Sequence, residues 1–130
     1  MKKLNLLLGL FLFVMFFTST LIASEKEDPT ENSIQMNEEV QAVIKHSCFG
    51  CHNTDSRNKD AKEDLDFKTL HELSKAQQLG ALKDIRKVLR KNEMPPKKFL
   101  EHKPEAALTI EQQDILVDWV KGQSKALLAK

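Results

Sequence analysis

"HSCFGCHNTD" occupies positions 46–55, and its cysteines, Cys48 and Cys51, are the only two in 130 residues. His52 follows the second directly. Two thiols three positions apart can face the same way across one short turn. The neighbouring imidazole adds a nitrogen ligand, so the cluster is built to grip something.

Four chemistries compete for it. A thioredoxin-like redox pair needs βαβ units, and no run of β-branched alternation occurs anywhere in the chain. A structural disulfide is compatible with an exported chain, but a bridge closing so small a loop stabilises little. A zinc site formed by Cys48, Cys51 and His52 needs a fourth ligand, for which His71 or His102 would have to serve. The fourth chemistry is covalent attachment of a c-type haem, for which C-x-x-C-H is the attachment sequence. Each thiol adds across one vinyl group of the porphyrin, and the adjacent imidazole is then held under the iron as an axial ligand.

The N-terminus agrees with that fourth reading. Lys2 and Lys3 precede an uncharged apolar run, Leu4 to Ala23. Residues 1–23 therefore read as a signal peptide, or as an uncleaved membrane anchor, since about 20 apolar residues span a bilayer. Either form exports the rest of the chain, and haem c is attached outside the cytoplasm. The expected location is the periplasm or the outer face of a bacterial cytoplasmic membrane. No cysteine follows the apolar run, so a lipid-modified anchor has no support. Of 20 basic and 19 acidic side chains, only Lys2 and Lys3 lie within residues 1–23. The exported part is thus close to neutral, and nucleic acid is not an expected partner. It is also short for a self-sufficient core, so a cofactor would help to hold it together.

Residues 24–35, beginning "SEKEDPTENS", read as a flexible spacer, and residues 36–130 as the domain. Met36, Val40, Val43 and Ile44 recur at helical spacing behind Glu38 and Glu39. Asn53 to Asp66 is almost wholly polar and reads as a solvated loop. Asp66 can cap a short turn through Phe67, Leu70 and Leu73. Ser74 with Gln77 forms a capping box that opens a helix to about Lys91. Its stripe is Leu79, Leu82, Ile85 and Leu89, and Asn92 is its left-handed terminator. "NEMPPKKF" breaks regular structure. Thr109 with Gln112 opens a last helix with Ile110, Ile115, Leu116, Trp119 and Val120 on its apolar side. The expected fold class is all-α, with three main helices.

A haem iron has a second face. Met94 stands directly before Pro95 and Pro96, which disfavour the helical conformation at Met94 and stiffen the loop around it. That suits an axial thioether, although methionine more often fills a core gap. Met36 reads as core, His46 lies too close to Cys48 to reach round the ring, and His71 reads as surface. His102 is the runner-up and would give a bis-histidine iron.

The chain resembles the c-type cytochromes. More narrowly, it resembles the small bacterial haem-binding domain family that combines an early C-x-x-C-H, a later M-P-P and a C-terminal L-T-x-x-[EQ]…W helix. The matching stretches are "CFGCH" (48–52), "EMPP" (93–96), "HKPEAALTIEQ" (102–112) and "DWV" (118–120). The resemblance implies one covalent haem c per chain, His52 as proximal ligand and Met94 as distal ligand. It implies a compact cytochrome c-like fold whose first and last helices pack together, bringing Trp119 toward Val40 and Val43. The departures are the absence of tyrosine, with Phe99 where an aromatic hydroxyl can follow M-P-P, and Asn92 where glycine is common.

The function these features imply is a monohaem electron carrier that serves redox partner proteins and is not an enzyme. The alternative is a haem-based sensor, small-ligand binder or weak peroxidase with a labile sixth position. Lys97, Lys98 and Lys103 lie near the distal loop, where they read either as a steering patch for an acidic partner or as an ordinary solvated charge run.

Overall fold

The computed structural model describes residues 33–129. The stretch read as signal or anchor, and most of the spacer, lie outside these residues. Five helices follow in order: α1 (Glu38–Ser47), α2 (Lys59–Asp64), α3 (Lys75–Arg90), α4 (Lys97–Leu100) and α5 (Ile110–Leu128). Short 3-10 turns form at Leu70–Glu72 and Pro104–Ala106. No strand occurs among the described residues, so the class is all-α and α1, α3 and α5 are its main helices.

Each main helix starts where its side chains can satisfy the open backbone donors of the first turn. Asn37 Oδ1 accepts from the Val40 amide at 2.9 Å. Ser74 with Gln77, and Thr109 with Gln112, both form complete capping boxes. The end of α3 is equally local. Asn92 takes a left-handed φ of 53°, its N–H donates to Leu89 O at 3.1 Å, and the Glu93 N–H donates to Val88 O at 2.9 Å. This is a Schellman closure with asparagine in the usual glycine position. From α5, the Gln113 amide donates to Leu89 O and, at 3.2 Å, to Asn92 Oδ1. The closing turn of α3 is therefore tied to its neighbour.

One hydrophobic core joins the three helices. It takes Val40, Val43 and Ile44 from α1, Leu82, Ile85 and Leu89 from α3, and Leu116, Trp119 and Val120 from α5. The most extensive helix pairing is α3 against α5, and α5 also packs on α1. Burial of each such side chain contributes about 1.5–3 kcal/mol. Trp119 is 8% exposed, and its indole N–H donates to Gln35 O at 2.8 Å. The pairing of first and last helices is thus as the resemblance implies. Gln35 N also donates to Gln123 Oε1 at 2.8 Å, and Ile34 is buried. The packed domain begins inside the stretch read as spacer.

Three local expectations are corrected. Asn53 to Asp66 is not all loop. Asn58 Oδ1 accepts from the Ala61 amide at 3.1 Å and caps α2, none of whose residues is buried. The "NEMPPKKF" stretch contains α4, which starts directly after Pro96. Ile110 is 76% exposed. At about 100° per residue it lies well round the helix from Leu116, Trp119 and Val120.

Candidate functional site

A cavity of about 350 Å³ opens between the end of α1, the inner side of α3 and the segment 94–99. Its walls are largely apolar, with Ile44, Ile85, Leu89, Leu116 and Trp119 at the back. Volume and lining match a small-molecule or cofactor site, for which roughly 300–1,000 Å³ is usual. Cys48, Cys51, His52 and Met94 all line it. Met94 is 42 positions from His52 in sequence, yet the fold brings it to the same space.

The turn carrying the cysteines is an extension of α1. Cys51 N and His52 N both donate to Cys48 O at 3.1 Å. The buried Asn53 closes the turn from the far side, its amide donating to Phe49 O and its Oδ1 accepting from Asp55 N at 2.8 Å. No disulfide joins Cys48 and Cys51. Burial pushes the Cys48 thiol up to about 11 from its ordinary 9.0, so it is an uncharged thiol at neutral pH. Among the described residues no group of three His, Cys, Asp or Glu side chains is placed to hold a metal ion. The zinc reading therefore lacks its ligand cluster.

His52 is held by the segment that reads as a bland loop. Its Nδ1 lies 2.8 Å from Ala61 O and 3.2 Å from Leu65 O. A carbonyl oxygen only accepts, so Nδ1 carries the hydrogen, which in a neutral imidazole leaves the lone pair on Nε2. Phe67 meets the imidazole edge-on, with ring centroids 6.3 Å apart and planes at 85°, and the Phe67 N–H donates to His52 O at 3.2 Å. The Asn58 cap, α2 and the turn after it thus orient one ring. Sequence reasoning missed these residues. The available signal was Asn58 three positions before Ala61, with Asp60 in the first turn.

Elsewhere on the cavity lining, Met94 is half-buried and Pro95 is buried, and the Met94–Pro95 peptide bond is cis. Phe99 of α4 also lines the cavity, with Lys103 Nζ 6.0 Å from its ring centroid. Ser47 Oγ, also at the cavity wall, is buried without a hydrogen-bond partner among the described residues. Such a group costs about 1–3 kcal/mol unless a polar atom meets it. The lining thus suits a mainly apolar guest that carries some polar atoms.

The other candidate ligands lie elsewhere. His46 Nε2 sits 2.7 Å from Glu105 O. His71 lies on the surface, 3.7 Å from the Glu72 carboxylate. His102 is exposed and does not line the cavity. Met36 packs against the core, although it precedes the Asn37 cap and lies outside α1.

A sequence-family model described as a haem-binding domain matches residues 56–122. The matched segment begins just after His52 and contains Met94, α3 and most of α5. Searches of curated proteins and of solved structures returned no match.

Proposed function

Because the chain belongs to the haem-binding domain family, we propose that it is a monohaem c-type cytochrome that carries electrons outside the cytoplasm. In this reading Cys48 and Cys51 hold haem c through two thioethers. Each S–H adds across one vinyl C=C, forming a C–S and a C–H bond with no leaving group. His52 would hold the iron through Nε2, and Met94 would hold it through its thioether sulfur. The haem supplies one-electron chemistry between ferrous and ferric iron.

The observation that carries this reading is the convergence of Cys48, Cys51, His52 and Met94 on one apolar cavity. The protein residues do the rest. Ala61 and Leu65 carbonyls fix the His52 tautomer and raise the basicity of Nε2. Ile85, Leu116 and Trp119 exclude water from the cavity, and a drier site shifts the balance between iron states. A methionine filling the sixth position favours a carrier over a sensor, peroxidase or small-ligand binder, which needs that position open. The apolar run at residues 1–23 supports export, as attachment of haem c requires.

The test is the full chain expressed with haem-attachment machinery, followed by a reduced-minus-oxidised spectrum and a haem stain after denaturing electrophoresis. One haem per chain should survive denaturation. The double change Cys48→Ser, Cys51→Ser should abolish the stain, and an unchanged, well-folded double variant would sink the proposal. Wild type that binds carbon monoxide readily would move the function to the sensor class.

A further inference from the structure

Charge is unevenly distributed over the domain. From Glu38 to Glu72 there are eight acidic and five basic side chains, whereas from Lys75 to Lys98 there are eight basic and two acidic. Most of that second group projects from α3. At 100° per residue, Arg86, Arg90, Lys83, Lys87 and Lys91 occupy one continuous outer arc with no carboxylate inside it. All five are exposed. Only Lys91 has an ionic partner, Glu93 at 3.7 Å. Lys83, Arg86, Lys87 and Arg90 make no ion pair or side-chain hydrogen bond among the described residues.

Folding does not need this arrangement. Lys83 with Lys87, Lys87 with Lys91, and Arg86 with Arg90 are like charges at i,i+4, and each such pair weakens the helix. Glutamate at alternate positions would relieve all three.

Two features turn the charge into a place. Near one edge of the arc, which Lys91 ends, Lys87 is exposed and also lines the cavity, as does exposed Asp84 just beyond that edge, so Lys87 stands at the cavity mouth. The other edge of the arc falls into a polar groove of about 370 Å³ between α3 and α5, lined by Arg86, Arg90, Asp114, Val117 and Lys121. Lys121 is engaged by Asp118 at 2.8 Å, which leaves two unpaired guanidinium forks. Planar forks of this kind match a carboxylate with two parallel hydrogen bonds.

We propose that the outer face of α3 is the docking surface for an acidic partner protein, with a partner carboxylate seated between Arg86 and Arg90. Lys87 then brings the partner against the cavity mouth. This rests on the electron-carrier reading for its purpose and on the charge arrangement for its location.

The reduced holoprotein is mixed by stopped flow with hexacyanoferrate(III), an anionic oxidant, or tris(phenanthroline)cobalt(III), a cationic one. One electron passes from ferrous haem to either oxidant. Salt should slow the first reaction and speed the second. R86E/R90E and K83E/K87E should each slow the anionic oxidant about tenfold at low salt, whereas E38K/E39K on α1 should not slow it. Backbone amide shifts under titration with poly-L-glutamate should move between Lys83 and Lys98. R86K/R90K should keep the oxidation rate and weaken polyglutamate binding, because the charge stays and the fork is lost. Rates indifferent to the α3 reversals, or shifts centred elsewhere, overturn the proposal. Sedimentation with phosphatidylglycerol vesicles that R86E/R90E abolishes, with no polyglutamate shifts, overturns it in favour of a membrane surface. A chain without reducible haem would defeat the carrier reading alone, and the titration would still decide the surface.

Discussion

On the wall that carries His52, hydrogen bonds from the imidazole to backbone carbonyls set the position of the side chain. On the wall that carries Met94, chain stiffness and packing do so. The imidazole is gripped by Ala61 O and Leu65 O, and those carbonyls stand where they do because Asn58 caps α2. A thioether has no N–H to offer a carbonyl. Met94 is instead placed by the closing turn of α3 before it and by Pro95 and Pro96 after it. That turn is tied to α5 through Gln113. A polar side chain can be held by a thin polar segment with no core of its own, whereas an apolar one needs neighbours that are themselves anchored.

The largest expected effect is on the Met94 side. Met94→Ala should remove the weak near-infrared sulfur-to-iron band of the oxidised protein and lower its potential, since methionine ligation favours ferrous iron. Carbon monoxide or cyanide should then bind, while attachment through Cys48 and Cys51 persists. His102→Ala should change none of these. The reverse pattern in a spectroelectrochemical titration would make the iron bis-histidine and end the methionine assignment.

Trp119 belongs to both regions, lining the cavity and joining α5 to the chain before α1. Trp119→Ala should cost about 3–5 kcal/mol, read by denaturant unfolding of the holoprotein. A loss below about 1 kcal/mol, the scale of an ordinary surface change, would mean that the first and last helices are held together by something else.

Paired cap deletions sharpen the contrast between the walls. Asn58→Ala removes the α2 cap and should cost about 1 kcal/mol. It should also loosen both carbonyls behind His52, weaken the imidazole as a donor and so raise the potential. Gln113→Ala removes the tie at the end of α3 at a similar cost, about 1 kcal/mol. It should leave the His52 side unchanged and make the sixth position more accessible to cyanide. Potentials that move the same way in both variants would erase the distinction between the walls.

The smallest effect concerns the surface pair beneath the His52 turn. A hydrogen bond and the charge of Lys68 hold the Asp55 carboxyl below its ordinary 3.8. A depressed folded value stabilises above the unfolded pKa, and that stabilisation is lost as pH falls through the folded value. Both groups are exposed, so Asp55→Asn should barely alter stability at neutral pH. The difference between wild type and variant should shrink as melts are taken to lower pH and the folded carboxyl, held below its ordinary value, takes up its proton.

Local chemistry made much of this readable in advance. Capping boxes at Ser74 and Thr109, and the asparagine stop at Asn92, act within a few residues and do not depend on the remainder of the fold. α2 was unreadable by periodicity because it buries nothing. Its six residues offer no apolar stripe, and only its Asn58 cap betrays it. Ile110 misled for the opposite reason, an apolar residue in a helix without being on its buried side.

The sequence alone determined the nature of the site. Two thiols and an imidazole within five positions constrain one another covalently, whatever surrounds them, and the helices around them declare themselves through caps and stripes. Only the tertiary structure decided that Met94 shares a cavity with that turn, because the packing of α3 on α5 sets where the loop after α3 arrives. It also decided which carbonyls orient His52 and where the cationic arc of α3 meets the cavity mouth. Those are relations between segments distant in sequence, and side-chain packing across helices, not local spacing, sets such distances.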